Sequence, residues 1–206
     1  MITMRATFTT LALLSITGLL HASDGAMTPA ERAHAIQLLR DSQKEYLALL
    51  DGLTDEQWTW KSAPDRWSVG ETAEHIVLAE GLLFGAVMGA VAAPVNPDWE
   101  TKTRGKTEFI EKVMVDRSHK ATAPEPIVPQ GKLSREEVIQ RYKEARAKTL
   151  KFAEETQVAL KEHTFDHPFP VFGTLNAYQW LIYVPLHNMR HNQQIAEVKA
   201  TPGFPK

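Results

Sequence analysis

This sequence predicts an all-α fold, a four-helix bundle with a long crossover connection between helices two and three. Three observations predict it. Four stretches carry apolar residues at helical spacing, each opened by residues that cap a helix N-terminus. No run of alternating apolar and polar residues is long enough to build a sheet. Residues 93–133 form one long, proline-bearing connection, a length that suits a crossover over the fold or a contribution to a site.

The first helix opens at Thr28-Pro29-Ala30-Glu31, a capping box with proline at the first helical position, and Ile36, Leu39, Tyr46, Leu47 and Leu50 mark its inward stripe. Gly52 ends it, and Thr54-Asp55-Glu56-Gln57 starts a single turn before Trp58, Trp60, Pro64 and Trp67. Ser68-Val69-Gly70-Glu71 caps the second long helix, which carries Thr72, Ile76, Ala79, Leu83 and Val87 inward to about Ala92. Inside the connection a short helix is expected around Glu108 to Asp116. Ser134-Arg135-Glu136-Glu137 opens the third, with Val138, Tyr142, Ala145, Thr149 and Phe152 inward and an end near Leu160. A turn-rich stretch, His163 to Gly173, leads to Asn176-Ala177-Tyr178-Gln179 and a fourth helix through Trp180, Val184, His187, His191 and Ile195, stopped by Pro202 and Gly203.

The opening residues have the shape of a secretory leader: one basic side chain at Arg5, then an uncharged run from Ala6 to Leu20. That run holds four threonines and a serine before His21, too polar and too short for a membrane span. Cleavage after Ala22 or Gly25 starts the mature chain between Ser23 and Met27, so residues 1–25 read as a signal peptide and 26–206 as one domain. A periplasmic or secreted location follows, with no membrane attachment once the leader is gone.

With 23 Lys plus Arg against 25 Asp plus Glu, the net charge of -2 supplies no basic field for nucleic acid. Cysteine is absent, which excludes thiolate nucleophiles, thiolate metal ligands and disulfides. Any metal site must use His, Asp or Glu.

His187 and His191, four residues apart, project from one face of a helix about one turn from each other. His163 and His167 have the same spacing, but beside Pro168, where the helix is over; they read as two exposed loop histidines. His187 and His191 instead fall in register with Trp180, Val184 and Ile195 on the inward stripe, and His75 lies on the inward stripe of helix two among Thr72, Ala79, Leu82 and Leu83. Buried imidazoles without partners are costly. Three inward histidines from two helices supply three neutral nitrogen ligands, a set that leaves a metal ion open positions.

Arg66-Trp67-Ser68-Val69-Gly70-Glu71-Thr72-Ala73-Glu74-His75-Ile76 and, far downstream, His187-Asn188-Met189-Arg190-His191-Asn192-Gln193-Gln194-Ile195 together resemble the DinB/YfiT-like superfamily of metalloenzymes. The resemblance covers nearly all of the chain after the leader, in element order. It implies a four-helix bundle, one divalent ion held by His75, His187 and His191, and frequent dimerisation, here a homodimer. Relatives with assigned reactions transfer low-molecular-weight thiols or isomerise thiol adducts. The leader departs from the many relatives that look cytoplasmic.

Around these ligands, Glu71 either closes the capping box with Ser68 or serves His75 as a hydrogen-bond acceptor or general base. Tyr183 either packs in the core or presents a hydroxyl to a bound substrate. Gln194 and Asn188 have the reach to hold a ligand imidazole, and Arg190 to pair with Glu71, Glu74 or a substrate carboxylate. Trp58, Trp60 and Trp67 wall a pocket or plug the end of the bundle. Pro185 predicts a kink just before His187. The reading is a metal-dependent enzyme acting on a small-molecule substrate, with Zn, Ni or Fe activating water or another nucleophile, hydrolysis favoured over thiol-dependent transfer or isomerisation. A bundle that binds metal or ligand without turnover is the alternative. Free imidazoles protonate near pH ~6.5, so metal binding is expected to weaken there.

Overall fold

The structure, a computed structural model, describes residues 25–118 and 121–206. The leader, residues 1–25, falls outside them save for Gly25. The chain is mostly helical. Its elements are α1 Pro29–Leu50, α2 Asp55–Thr59, α3 Val69–Ala92, α4 Trp99–Thr103, α5 Lys106–Val115, a 3-10 turn at Glu125–Ile127, α6 Arg135–Glu155, β1 Thr164–Asp166, β2 Thr174–Asn176 and α7 Ala177–Ala200. The caps read from the sequence form as capping boxes, Thr28 with Glu31, Ser68 with Glu71 and Ser134 with Glu137, and the structure adds two more, Thr54 with Gln57 and Asn176 with Gln179. Each satisfies backbone donors that a helix start otherwise leaves without a partner.

The four long helices pack as a ring. α3 and α1 each lie against both α7 and α6. The connection between α3 and α6 holds more structure than a single short helix, because α4 precedes α5 and α5 packs onto α7. α6 stops at Glu155, short of Leu160: Thr156 turns extended and its N–H closes on Phe152 O, so Leu160 reaches the core from a turn. A ladder absent from the sequence reading joins β1 to β2, antiparallel, with Thr164 opposite Asn176. Three residues per strand are too few to show alternation.

α3 is long and apolar enough, by length and composition, to cross a membrane. It is nevertheless the helix that buries the most charge. Glu80 and Arg146 are sealed from solvent and meet through two hydrogen bonds, 2.6 and 2.8 Å. Arg146 also donates to Leu39 O and Ser42 Oγ, and reaches Asn188 Oδ1 at 3.1 Å. Tyr142 donates to the same Asn188 oxygen, Asn188 donates to Asn192, and Asn192 donates to Ser42 O. All four long helices thus converge on one buried polar network, in which a charge left unpaired would be strongly destabilising. Leu82, by contrast, is 46% exposed and lies outside the stripe expected around His75.

At the N-terminal edge, Gly25 is buried and its carbonyl accepts the Lys161 N–H at 2.9 Å, while Met27 joins the core.

Candidate metal centre

His75 sits two turns into α3, whose start is fixed by Ser68 and Glu71. The indole of Trp58 lies so close over Gly70 that a Cβ there would come within 2.4 Å of its Nε1; a bare backbone lets the aromatic segment fold against the helix start. His187 and His191 come from α7, which runs unbroken through Pro185. Because α3 and α7 pack along their length, the three imidazoles meet.

His75 Nε2 and His191 Nε2 stand 3.2 Å apart, and one nitrogen from each of the three rings lies within 4.8 Å of the others. Ring centroids are separated by 4.4 Å (His75 to His191), 4.5 Å (His187 to His191) and 5.1 Å (His75 to His187). His75 and His191 are buried, and His187 keeps some exposure as a residue although its ring is enclosed.

The outer hydrogen bonds settle which nitrogens face inward. His75 Nδ1–H donates to the carbonyl of Ile127 at 2.7 Å, and His191 Nδ1 meets Gln194 Oε1 at 2.8 Å. With both Nδ1 atoms donating, both Nε2 atoms present lone pairs, and two lone pairs that close repel unless a cation stands between them. A tetrahedral ion with metal–nitrogen bonds of about 2.0–2.1 Å holds neighbouring ligand nitrogens roughly 3.3 Å apart. The observed spacing fits that demand. Outer partners of this kind fix a ligating imidazole's tautomer and orientation.

All three rings are held neutral, the state in which an imidazole has a lone pair to offer a metal. Burial lowers the His75 pKa, partly offset by the Ile127 hydrogen bond. Burial, then the neighbouring histidines and Arg190, keep His187 well below its ordinary value. Burial and His75 bring His191 down to about 3, against the pull of Gln194. The group could hold a metal ion.

The other residues singled out from the sequence divide. Glu71 closes its capping box, accepting the Ser68 N–H at 2.8 Å, and its other oxygen pairs with Lys61 at 2.9 Å. Tyr183 is buried, with its ring nearly parallel to that of His187 at 6.5 Å. Burial raises its hydroxyl pKa, so it stays protonated and is a donor at neutral pH. Gln194 is the partner of the His191 imidazole, whereas Asn188 belongs to the Arg146 network. Arg190 donates to the carbonyl of Asp116 after α5, rather than to the side chain of Glu71 or Glu74. Trp67 covers His75 at 4.8 Å; Trp60 packs on Phe204, and Trp58 carries Arg135 over its ring.

His163 and His167 stay out of the cluster, but neither is an exposed loop histidine. His163 Nδ1 bonds Ala93 O at 2.7 Å. His167 stacks on Trp180 at 4.8 Å, accepts the Phe169 N–H, and is lowered by burial to about 4. The β1–β2 ladder brings it inward.

Sequence reasoning missed the Ile127 carbonyl and Arg117. Arg117 forms a two-bond pair with Glu197 and reaches Gln194 Oε1 at 3.4 Å, behind His191. A backbone acceptor leaves no mark in a sequence. A spacing signal existed only for Gln194, three residues after His191.

The family model described as DinB superfamily matches residues 38–195. Among individual proteins, the chain is 26% identical over 170 residues to the uncharacterized protein YuaE of Bacillus subtilis (strain 168), a match spanning 80% of this chain and 96% of that protein. No solved structure gives a significant match.

Proposed function

The chain belongs to the DinB superfamily, and from that premise we propose that it is an exported metal-dependent enzyme whose His75, His187 and His191 hold one divalent ion. The observation that carries this reading is the pair of inward lone pairs on His75 and His191, 3.2 Å apart, each fixed from behind. Three imidazoles without a carboxylate suit Zn, Ni or Fe, and leave coordination positions free. When bound, such an ion polarises a substrate oxygen or lowers the pKa of water toward ~7. We read the ring of long helices as a four-helix bundle preceded by a leader that ends before Gly25, with hydrolysis of a small molecule as the favoured chemistry.

The chain's own residues divide the remaining work. Tyr183, protonated beside His187, is the candidate to donate to a developing negative charge on the substrate. Trp67 shields the His75 side from water. Glu71 is the candidate base, and to act it must give up Lys61.

That engagement of Glu71 is the observation favouring the second reading, a protein that captures a metal or ligand without turnover. Metal analysis of untagged protein, followed by a screen of hydrolase and thiol-transferase substrates, separates the two. Stoichiometric metal with turnover supports the enzyme; metal without turnover across the screen supports the binding protein; protein that takes up no metal defeats the enzyme and the metal-capturing form of the second reading.

A further inference from the structure

We propose that Glu74 is a positioning residue for the metal ligand His75, acting through the turn at residues 127–131. This rests on the reading of His75 as a ligand. Glu74 is 5% exposed on α3, and its Oε2 accepts the Gly131 N–H at 2.7 Å. Its chain neighbour His75 donates from Nδ1 to Ile127 O at 2.7 Å. Two consecutive residues of one helix therefore clasp both ends of one short turn.

The turn has little else to fix the direction of that carbonyl. Ile127 is buried, and the 3-10 hydrogen bonds from Ile127 N to Pro124 O and from Val128 N to Glu125 O shape the turn before it. Beyond Ile127 the chain runs through Pro129, which has no N–H to donate, to Gly131 at φ +64. The Gly131 N–H is where the far end is tied down. A carboxylate acceptor makes this a charge-assisted bond, about twice as strong as a neutral one. Releasing it lets the Ile127 carbonyl swing, and His75 then loses the partner that sets its tautomer and its aim.

The test uses the full chain freed of metal, titrated with Co(II) and read by visible absorption, with Zn(II) competition for affinity. Glu74→Ala is expected to bind about ten- to a hundred-fold more weakly than wild type, with an altered Co(II) spectrum, and Glu74→Gln to fall between them. Amide exchange over residues 127–131 should rise in step. Ser134→Ala, which removes the cap of the next helix, is expected to lower thermal stability while leaving affinity and spectrum unchanged. Should Glu74→Ala fail to fold, Glu74→Gln carries the test. Wild-type affinity and spectrum in the folded Glu74 variants overturn the positioning role while the metal reading stands; a wild-type protein that binds no Co(II) overturns both.

Discussion

His75 Nε2 and His191 Nε2 lie 3.2 Å apart although 116 residues separate them in the chain. Each has its other ring nitrogen engaged from behind, so the approach is built by the fold and not by the two side chains alone.

Removing one ligand should therefore have an effect independent of its place in the chain. His75→Ala, His187→Ala and His191→Ala are each expected to weaken Zn(II) binding by more than ~100-fold, beyond what loss of an outer partner costs. His163→Ala should leave metal content unchanged. His167→Ala should also keep its metal but melt at a lower temperature, since its ring is stacked against Trp180. Metal analysis with thermal melts checks all five; equal metal content across the set would sink the site.

The acidic limb of the stability curve should carry the mark of the buried histidines. Their folded pKa values lie below the unfolded ~6.5, with His167 at about 4 and His191 at about 3. Above pH ~6.5 both states are neutral and this stability is fully present. As pH falls below that value the unfolded chain takes up protons that the fold refuses, and stability declines until the folded values are reached. At pH 5 a histidine lowered as far as His167 or His191 removes at most about 2 kcal/mol, less where solvent screens the ring. Urea unfolding of metal-free protein between pH 7 and 5 should show the decline, with a shallower slope in His167→Phe. The same lowering moves loss of metal below the pH ~6.5 expected of free imidazoles.

The Arg146–Glu80 pair should be costly to break and cheap to replace. Arg146→Ala strands a buried carboxylate and is expected to lose about 3–5 kcal/mol in denaturant unfolding. Arg146→Met combined with Glu80→Leu should recover most of that loss. A double variant no better than the single one would mean that Asn188 and Ser42, not the ion pair, set the requirement.

N-terminal sequencing of protein from its native host is expected to find the mature chain starting upstream of Gly25, with Ser23 the first candidate. Gly25 and Met27 are already part of the packed fold, and cleavage after Gly25 would discard the acceptor of the Lys161 N–H. A mature terminus at Ala26 or Met27 would contradict this.

The helices were legible because their start signals are local. Ser68 and Glu71, or Asn176 and Gln179, find each other within one turn whatever else the chain does. The histidine cluster was legible because His187 and His191 share a face and because histidine on an inward stripe demands a partner. Arg146 was not, since average behaviour places arginine on the surface and its partner Glu80 is 66 residues away on another helix. Nor was the end of α6, where apolar spacing continues past Thr156 into a turn that also fills the core.

α7 carries the same pair of residues twice, His187 with Asn188 and His191 with Asn192. Successive helix residues point about 100° apart. The histidines look toward α3 and the asparagines toward the polar network joining α1 and α6. The helix is thus indexed like a key cut on two edges: any roll about its long axis that eased one set of contacts would spoil the other. Mutational drift at the asparagines, whose hydrogen bonds run to Tyr142, Arg146 and Ser42, should consequently surface as mis-aimed imidazoles, so those positions are open to change only in concert with their partners on the opposite side of the shaft.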